Sequence, residues 1–390
     1  MATTTKGALE RVKELYANRD ARVKELRAQG QKAFGYYCCY SPTEFMTAAG
    51  IVPYRIMGDI HQTTVEAFSN IESNFCPYIA SCFEMGLNGR YDHLDGILVP
   101  HTCDNVQRIY NFWKYYIQRN QPGEPFAHYM NVPHVIHPSS HKFFRNEIVA
   151  FKKAVEEYTG EEITDKKLKE AIELHNENRK LIHQLYDLRK SDPPLLRGSE
   201  VTEIIVAGMS VPVQEFNQLL RDVINEIPNR KDGPEKKAAR LLVYGSELDD
   251  NSFLQVIEEG GANVVMDDLC IGSRMYWPIA DVTDDPLDGL TNRYLDQIVC
   301  PRTFRGYPDT REQDLDLRFG YLKQYADEFK VNGIVLYILS FCDIHEFNVP
   351  DMRDYFQKFG LPVLHIEDDY TMAAVGQVKT RVQAFVEMIR

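Results

Sequence analysis

Two spacings of apolar residues alternate along this chain. Residues 8–29 set apolar positions at helical intervals on a charged background and predict a solvated amphipathic helix. The aromatic run FGYYCCY that follows predicts a short strand entering the core. In SPTEFMTAAG, Ser41 is placed as an N-cap, with Pro42 at the first helical position, Glu44 three residues after the cap and Gly50 as the stop. The strand IVPYRIMG, a helical stretch around Cys76, the apolar strand DGILVP and the helix VQRIYNFWKYY continue the alternation. From about 141 to 228 the pattern is helical throughout, broken at Pro193 and Pro194. After the polar linker NRKDGPEKK the strand and helix alternation resumes and runs to a terminal helix, TRVQAFVEMI.

This pattern predicts an α/β protein with two α/β domains joined by a helical segment. The boundaries are an N-terminal helix to residue 34, a first α/β domain at 35–140, a helical bridge at 141–235 and a second α/β domain at 236–390. One local echo ties the two α/β parts together. DGILVPHTCD at 95–104 and NGIVLYILSFCD at 332–343 each open an apolar strand with Gly-Ile and close it with Cys-Asp. Ligands of open parallel sheets bind beyond the carboxyl ends of the strands, so two facing domains bring both cysteines to one cleft.

Composition narrows the classes of function. The 390 residues carry a net charge of −13, which disfavours nucleic acid and anionic membranes as partners because both require a positive field. No stretch of sequence is long and apolar enough to predict a membrane span, and a cytoplasmic location is expected. The eight cysteines form no CxxC pair. Thiols, metal ligands or buried apolar residues are therefore expected rather than disulfides, and a metal site has to be assembled from distant parts of the chain. There is no GxxxxGK[ST] loop and no GxGxxG after a strand.

Cys76, Cys103 and Cys342 sit at loop or helix-start positions that suit soft thiolate ligands, and each equally suits a small buried residue. His101 and His345 lie within three residues of Cys103 and Cys342 and are candidate general acids, and His137 lies near another strand end. Glu44 reads either as the capping partner of Ser41 or as a polar group facing the cleft. Arg274 reads as a phosphate contact or as half of a structural ion pair. Cys270 is read either as a thiol supporting the site or as a simply buried one, and Cys38, Cys39, Cys82 and Cys300 as packing residues.

The phrases GYYCCYSPTEFMTAAGIVPYRI, NFCPYIASC, LVPHTCDNVQR, DDLCIGSR and SFCDIHEFNVPDMRDYF together resemble the cluster-binding subunits of the benzoyl-CoA reductase and 2-hydroxyacyl-CoA dehydratase family. That resemblance implies an α/β fold of two Rossmann-like parallel-sheet domains with a [4Fe-4S] cluster in the cleft between them, held by Cys76, Cys103 and Cys342 with one iron left open. It also implies a homologous cluster-bearing sister subunit, ATP-hydrolysing iron–sulfur activator subunits, ferredoxin as electron donor and an acyl-CoA substrate. Within the family, YYCCY, ELDDNSF and the tract 278–320 are most like the smaller cluster subunit of an ATP-dependent benzoyl-CoA reductase. A dehydratase subunit and a non-catalytic electron-relay subunit are the alternatives.

Overall fold

In a computed structural model, residues 6–371 and 373–389 are described. The first sheet contains β1 (Ala33–Tyr36), β2 (Val52–Arg55), β3 (Gly96–His101) and β4 (Phe126–Asn131). The second contains β5 (Ala239–Gly245), β6 (Ala262–Asp268), β7 (Gly333–Leu339) and β8 (Val363–Asp368). All pairings are parallel, in the orders β2-β1-β3-β4 and β6-β5-β7-β8. The two sheets thus share one topology, and the two echoed sequences form the corresponding strands β3 and β7.

Both central pairs read as continuous apolar runs because helices cover both faces of a parallel sheet. Every residue of β1, β5, β6 and β7 is buried. In each sheet the order reverses at the first strand, between β1 and β3 and between β5 and β7. The crevice beyond those carboxyl ends is where such a sheet offers a site. At the end of β5 the close approach is extreme: a Cβ on Gly245 would lie 1.7 Å from the Tyr337 carbonyl oxygen. Only glycine fits there.

Four long helices, Pro138–Thr159, Asp165–Asp187, Gly198–Gly208 and Val213–Glu226, stand between the two sheets in sequence. Their apolar stripes, including Phe144, Ile148, Leu185, Ile204 and Phe216, join side chains from both sheets in one core, with Phe34 and Leu98 from the first and Leu242 and Leu336 from the second. No helix among the described residues is long and apolar enough to cross a membrane.

Two local expectations are corrected. The stretch 8–29 is two helices, Ala8–Ala17 and Ala21–Ala28. The chain turns between them so that Arg19 donates to the Gly58 carbonyl at 3.1 Å and stands 4.0 Å from buried Asp249, which ties the N-terminus to the second sheet's loops. Nor is there a capping box at Ser41. Its hydroxyl donates to the Tyr37 carbonyl at 2.6 Å, and the short helix begins at Glu44 with Thr43 before it.

Candidate active site at the facing sheet ends

Cys76, Cys103 and Cys342 share one local design. Each is the residue immediately before a helix: Pro77–Leu87, Asp104–Phe112 and Asp343–Glu346. A helix start presents unpaired N–H groups and a positive end, which favour a thiolate. The sequence encodes these starts with Pro77 at the first helical position after Cys76 and with Asp104 and Asp343 in the first turn. Cys103 follows β3 and Cys342 follows β7, so the topology puts both at crevice positions.

The three thiols sense one another. Burial pushes Cys76 up to about 12, with Cys103 adding to the rise and the amides of Ile79 and Tyr78 opposing it. Burial likewise raises Cys103, with Cys342 contributing and the amides of Val106 and Asn105 opposing. Burial raises Cys342 to about 12, with Cys76 contributing. Three thiols that disfavour one another's ionisation form a set suited to a shared cation, which replaces the protons on binding. The Cys76 amide also donates to Asn105 Oδ1 at 3.0 Å, pinning one thiol-bearing turn to the helix that follows the other. Among the described residues, no three His, Cys, Asp or Glu side chains cluster tightly enough for a single metal ion. A multinuclear cluster spreads its ligands further apart, over several metal corners.

Other cysteines line the same cleft. Cys38 and Cys39 follow β1 with their sulfurs 4.0 Å apart; Cys38 lies below the ordinary thiol range because of Cys39, with burial opposing and Arg55 assisting, while Cys39 lies well above it. Cys270 follows β6, and its sulfur accepts from Arg274 Nη1 at 3.0 Å. Cys300 interacts electrostatically with Cys38 and Arg274. Cys82 stands apart, within the helix Pro77–Leu87, fully buried.

The remaining candidates divide. His345 belongs to the centre: its Nδ1 is 3.3 Å from Cys342 Sγ and its Nε2 is 3.0 Å from Arg274 Nη1. Burial, then Arg274, lowers it far below an ordinary histidine, so it is a neutral imidazole at neutral pH. His101, the last residue of β3, stacks on Tyr129 and is half-buried. Burial and Arg302 lower it too. His137 caps the helix Pro138–Thr159 by accepting from the Ser139 amide.

Glu44 is wholly buried, with one carboxylate oxygen paired to Arg179 and the other accepting from Tyr294 Oη at 2.8 Å. Burial alone would raise it, but Arg179, His175 and Arg293 outweigh that and hold it at about 2. It is a permanent structural anion with both oxygens committed. Arg274 is also enclosed: Nη2 donates to the Asp268 carboxylate at 3.0 Å and to the Asp268 carbonyl at 2.8 Å, and Nη1 reaches Gly245 O, Cys270 and His345. Of the readings open in sequence, the structural ion pair describes its surroundings.

Two groups escaped the sequence reading. Arg55, the last residue of β2, pairs with Glu247 just beyond β5 at 2.6 Å, joining the two sheet ends. Arg55 Nε and Nη1 and Glu247 Oε2 are buried without partners, and burial, against Arg55, raises Glu247 to about 7. The second group lies in the tract 298–305, which stitches the first sheet's exit loops. Arg302 donates to Thr102 O at 3.0 Å and Val132 O at 2.7 Å, Tyr40 Oη meets Thr303 Oγ1 at 2.9 Å, and Phe304 N donates to His134 O at 2.7 Å. No short-range pattern marks contacts between residues some 200 positions apart. Cavities of about 380 Å³ and 450 Å³ flank Val299 and Tyr321; the first is lined by Cys300, Arg302 and Arg305, the second by Arg274, Trp277 and Tyr325.

Comparison with known proteins adds to this geometry. A family model described as 2-hydroxyglutaryl-CoA dehydratase, D-component, matches residues 38–389. The (R)-phenyllactyl-CoA dehydratase beta subunit of Clostridium sporogenes is 26% identical over 372 residues, covering 94% of each chain. A benzoyl-CoA reductase subunit of Thauera aromatica is 26% identical over 396 residues, covering 99% of each. The (R)-2-hydroxyglutaryl-CoA dehydratase beta subunit of Acidaminococcus fermentans is 24% identical over 386 residues, covering 98% of each.

Proposed function

The chain belongs to the 2-hydroxyglutaryl-CoA dehydratase D-component family, and from that premise we propose that it is the cluster-bearing subunit of an enzyme that delivers single electrons to an acyl-CoA thioester. The observation that carries this reading is the set of three thiols, Cys76 buried and Cys103 and Cys342 partly buried, each at a helix start at the ends of two parallel sheets. Cys76, Cys103 and Cys342 would hold a [4Fe-4S] cluster, which supplies a strongly reducing one-electron donor when bound. The helix-start amides offset part of the thiolate charge. The arginine-lined cavity beside Cys300 has the charge to receive the phosphates of coenzyme A, through Arg302 Nη1 and Arg305 Nε, both buried and unpartnered.

Ring reduction and dehydration share a first step, addition of one electron to the thioester-conjugated system. They diverge afterwards: a ring radical anion takes protons and a second electron, whereas a 2-hydroxyacyl ketyl expels hydroxide. Our first reading is ring reduction of benzoyl-CoA to a cyclic dienoyl-CoA, supported by the phrases at 36–40 and 247–253 and by likeness to the Thauera aromatica reductase subunit over nearly the whole chain. The second, 2-hydroxyacyl-CoA dehydration, is favoured by equal identity to the phenyllactyl-CoA dehydratase subunit. Both readings need a homologous sister subunit, an ATP-hydrolysing activator and a ferredoxin-type donor.

The test is anaerobic co-purification with the sister subunit, analysis of iron and sulfide, and turnover of both substrates with activator and donor. Ring reduction predicts a fixed consumption of ATP per product over many turnovers. Dehydration recovers its electron each cycle, so water loss that continues after ATP is removed overturns the first reading. A complex without iron overturns both.

A further inference from the structure

We propose that Arg274 and His345 form a fixed hydrogen-bond chain that holds an imidazole N–H on Cys342 Sγ, making Cys342 the one thiolate of the three whose charge is set by a side-chain donor. The inference rests on the cluster reading for its consequence but not for its geometry. Arg274 Nη1 lies 3.0 Å from His345 Nε2, and His345 Nδ1 lies 3.3 Å from Cys342 Sγ. A guanidinium has donors only, so Nε2 must be the bare nitrogen of the ring. The ring proton therefore sits on Nδ1 and points at sulfur.

Arg274 Nη1 also reaches the Gly245 carbonyl at 3.1 Å and Cys270 Sγ at 3.0 Å, which hold the guanidinium in place. Arg274 is anchored through Nη2 by the Asp268 carboxylate at 3.0 Å, and that carboxylate in turn accepts from Tyr321 Oη at 2.7 Å. His345 is 1% exposed. Because arginine does not release a proton, the chain conducts none. It is a fixed dipole, and Arg274 and His345 are positioning residues.

Cys342 Sγ also accepts from the Ser246 hydroxyl, whereas the donors at Cys76 and Cys103 are backbone amides. Three residues beyond Cys103 stands Val106, and three beyond Cys76 stands Ile79, both apolar and buried. On a cluster, an N–H donated to a ligand sulfur stabilises the extra negative charge of the reduced state and raises the potential.

The test uses the anaerobically purified complex with wild type, His345→Leu, His345→Asn and Arg274→Gln. Midpoints are read by dye-mediated titration of the reduced cluster's paramagnetic signal. His345→Leu should make reduction about tenfold less favourable, a shift of about 59 mV to lower potential for one electron. His345→Asn, whose amide nitrogen takes the place of Nδ1, should recover most of it, and Arg274→Gln should add nothing in the His345→Leu background. An iron-loaded His345→Leu complex with the wild-type midpoint overturns the inference. A second readout needs no iron: alkylation of Cys342 in the metal-stripped complex, followed by mass spectrometry, should slow several-fold in His345→Leu because its thiolate loses a donor. Unchanged alkylation also overturns it. An iron-free wild type whose Cys342 still responds to His345→Leu overturns the cluster reading alone.

Discussion

The two sheets share strand order and direction, yet they bring different chemistry to the cleft. The first contributes two of the three helix-start thiols, Cys76 and Cys103, together with the adjacent pair Cys38 and Cys39. The second contributes one, Cys342, with His345 beside its sulfur and Arg274 behind that ring, and it also carries the charged Glu247. Where Cys103 has Val106 one turn on, Cys342 has His345. A shared topology thus fixes where a side chain is presented, beyond the third strand of each half, and the residue types decide what is presented. The thiol-rich half reads as ligand supplier and the charged half as the one that tunes.

The largest expected effect tests whether the halves cooperate in one centre. Replacing Cys76, Cys103 or Cys342 by Ala should abolish cluster binding in the anaerobically purified complex, read as loss of iron, sulfide and the paramagnetic signal. A full cluster in any one of the three would separate that thiol from the set, and in Cys342→Ala it would confine the site to the first half.

Next in size is the join between the halves. Arg55→Met leaves the Glu247 carboxylate buried and unpaired, and breaking one side of a buried ion pair costs about 3 to 5 kcal/mol. The low end applies here, because Glu247 lies at about 7 already and escapes part of the cost by taking up a proton. Denaturant unfolding of the complex should show the loss in Arg55→Met and most of it restored in Arg55→Met with Glu247→Met, since the pair is coupled. Equal loss in single and double variants would mean that Arg55 acts through packing instead.

Much of this was legible in the sequence. The echo of β3 and β7 is local, as each strand and its Cys-Asp exit fall within a dozen residues, so the crevice position of Cys103 and Cys342 follows from pattern. The helix start at Cys76 is marked by Pro77. Burial was harder to read. Glu44 shows the same Ser-x-x-Glu spacing as a true capping box, and only the arrival of Arg179 and Tyr294 from distant segments decides its role. Arg274 had the same ambiguity. Cys270, expected either to support the site or simply to be buried, is buried with its sulfur accepting from Arg274 Nη1; Cys38, Cys39 and Cys300 are expected as packing residues, and their convergence depends on separate strand ends and the tract 298–305 meeting, which no window of sequence contains.

A smaller effect probes how the helical layer holds the second sheet. Glu258, in the helix Ser252–Glu259, accepts from the Gly198 amide at 2.7 Å and Ser199 Oγ at 2.6 Å. Burial raises it to about 7 despite those bonds. An acid raised on folding binds its proton more tightly in the folded state, so its contribution is complete below about 4.5 and is lost as pH rises through 7. Glu258→Gln keeps an acceptor and removes the titration. Its unfolding free energy should therefore fall less than wild type's between pH 5 and 8, by about 1 to 2 kcal/mol. Identical pH profiles would show the carboxyl to be ionised in the folded protein.

The smallest effect is the control that gives the first its meaning. Cys82 lies six residues beyond Cys76 within the helix Pro77–Leu87, fully buried, and burial, then Asp249, raises its thiol well above the ordinary range. Nothing at that position offers the helix-start amides that the three candidate ligands share. Cys82→Ala removes one buried atom and leaves a small void, which costs about 1 kcal/mol, and iron, sulfide and the paramagnetic signal should stay at wild-type levels. The variant matters because a helix that merely loosened would release Cys76 as well. A modest fall in melting temperature with the cluster intact separates ligand loss from helix damage, whereas loss of iron in Cys82→Ala would show that the whole helix, and not the thiol at its start, is what the first half contributes.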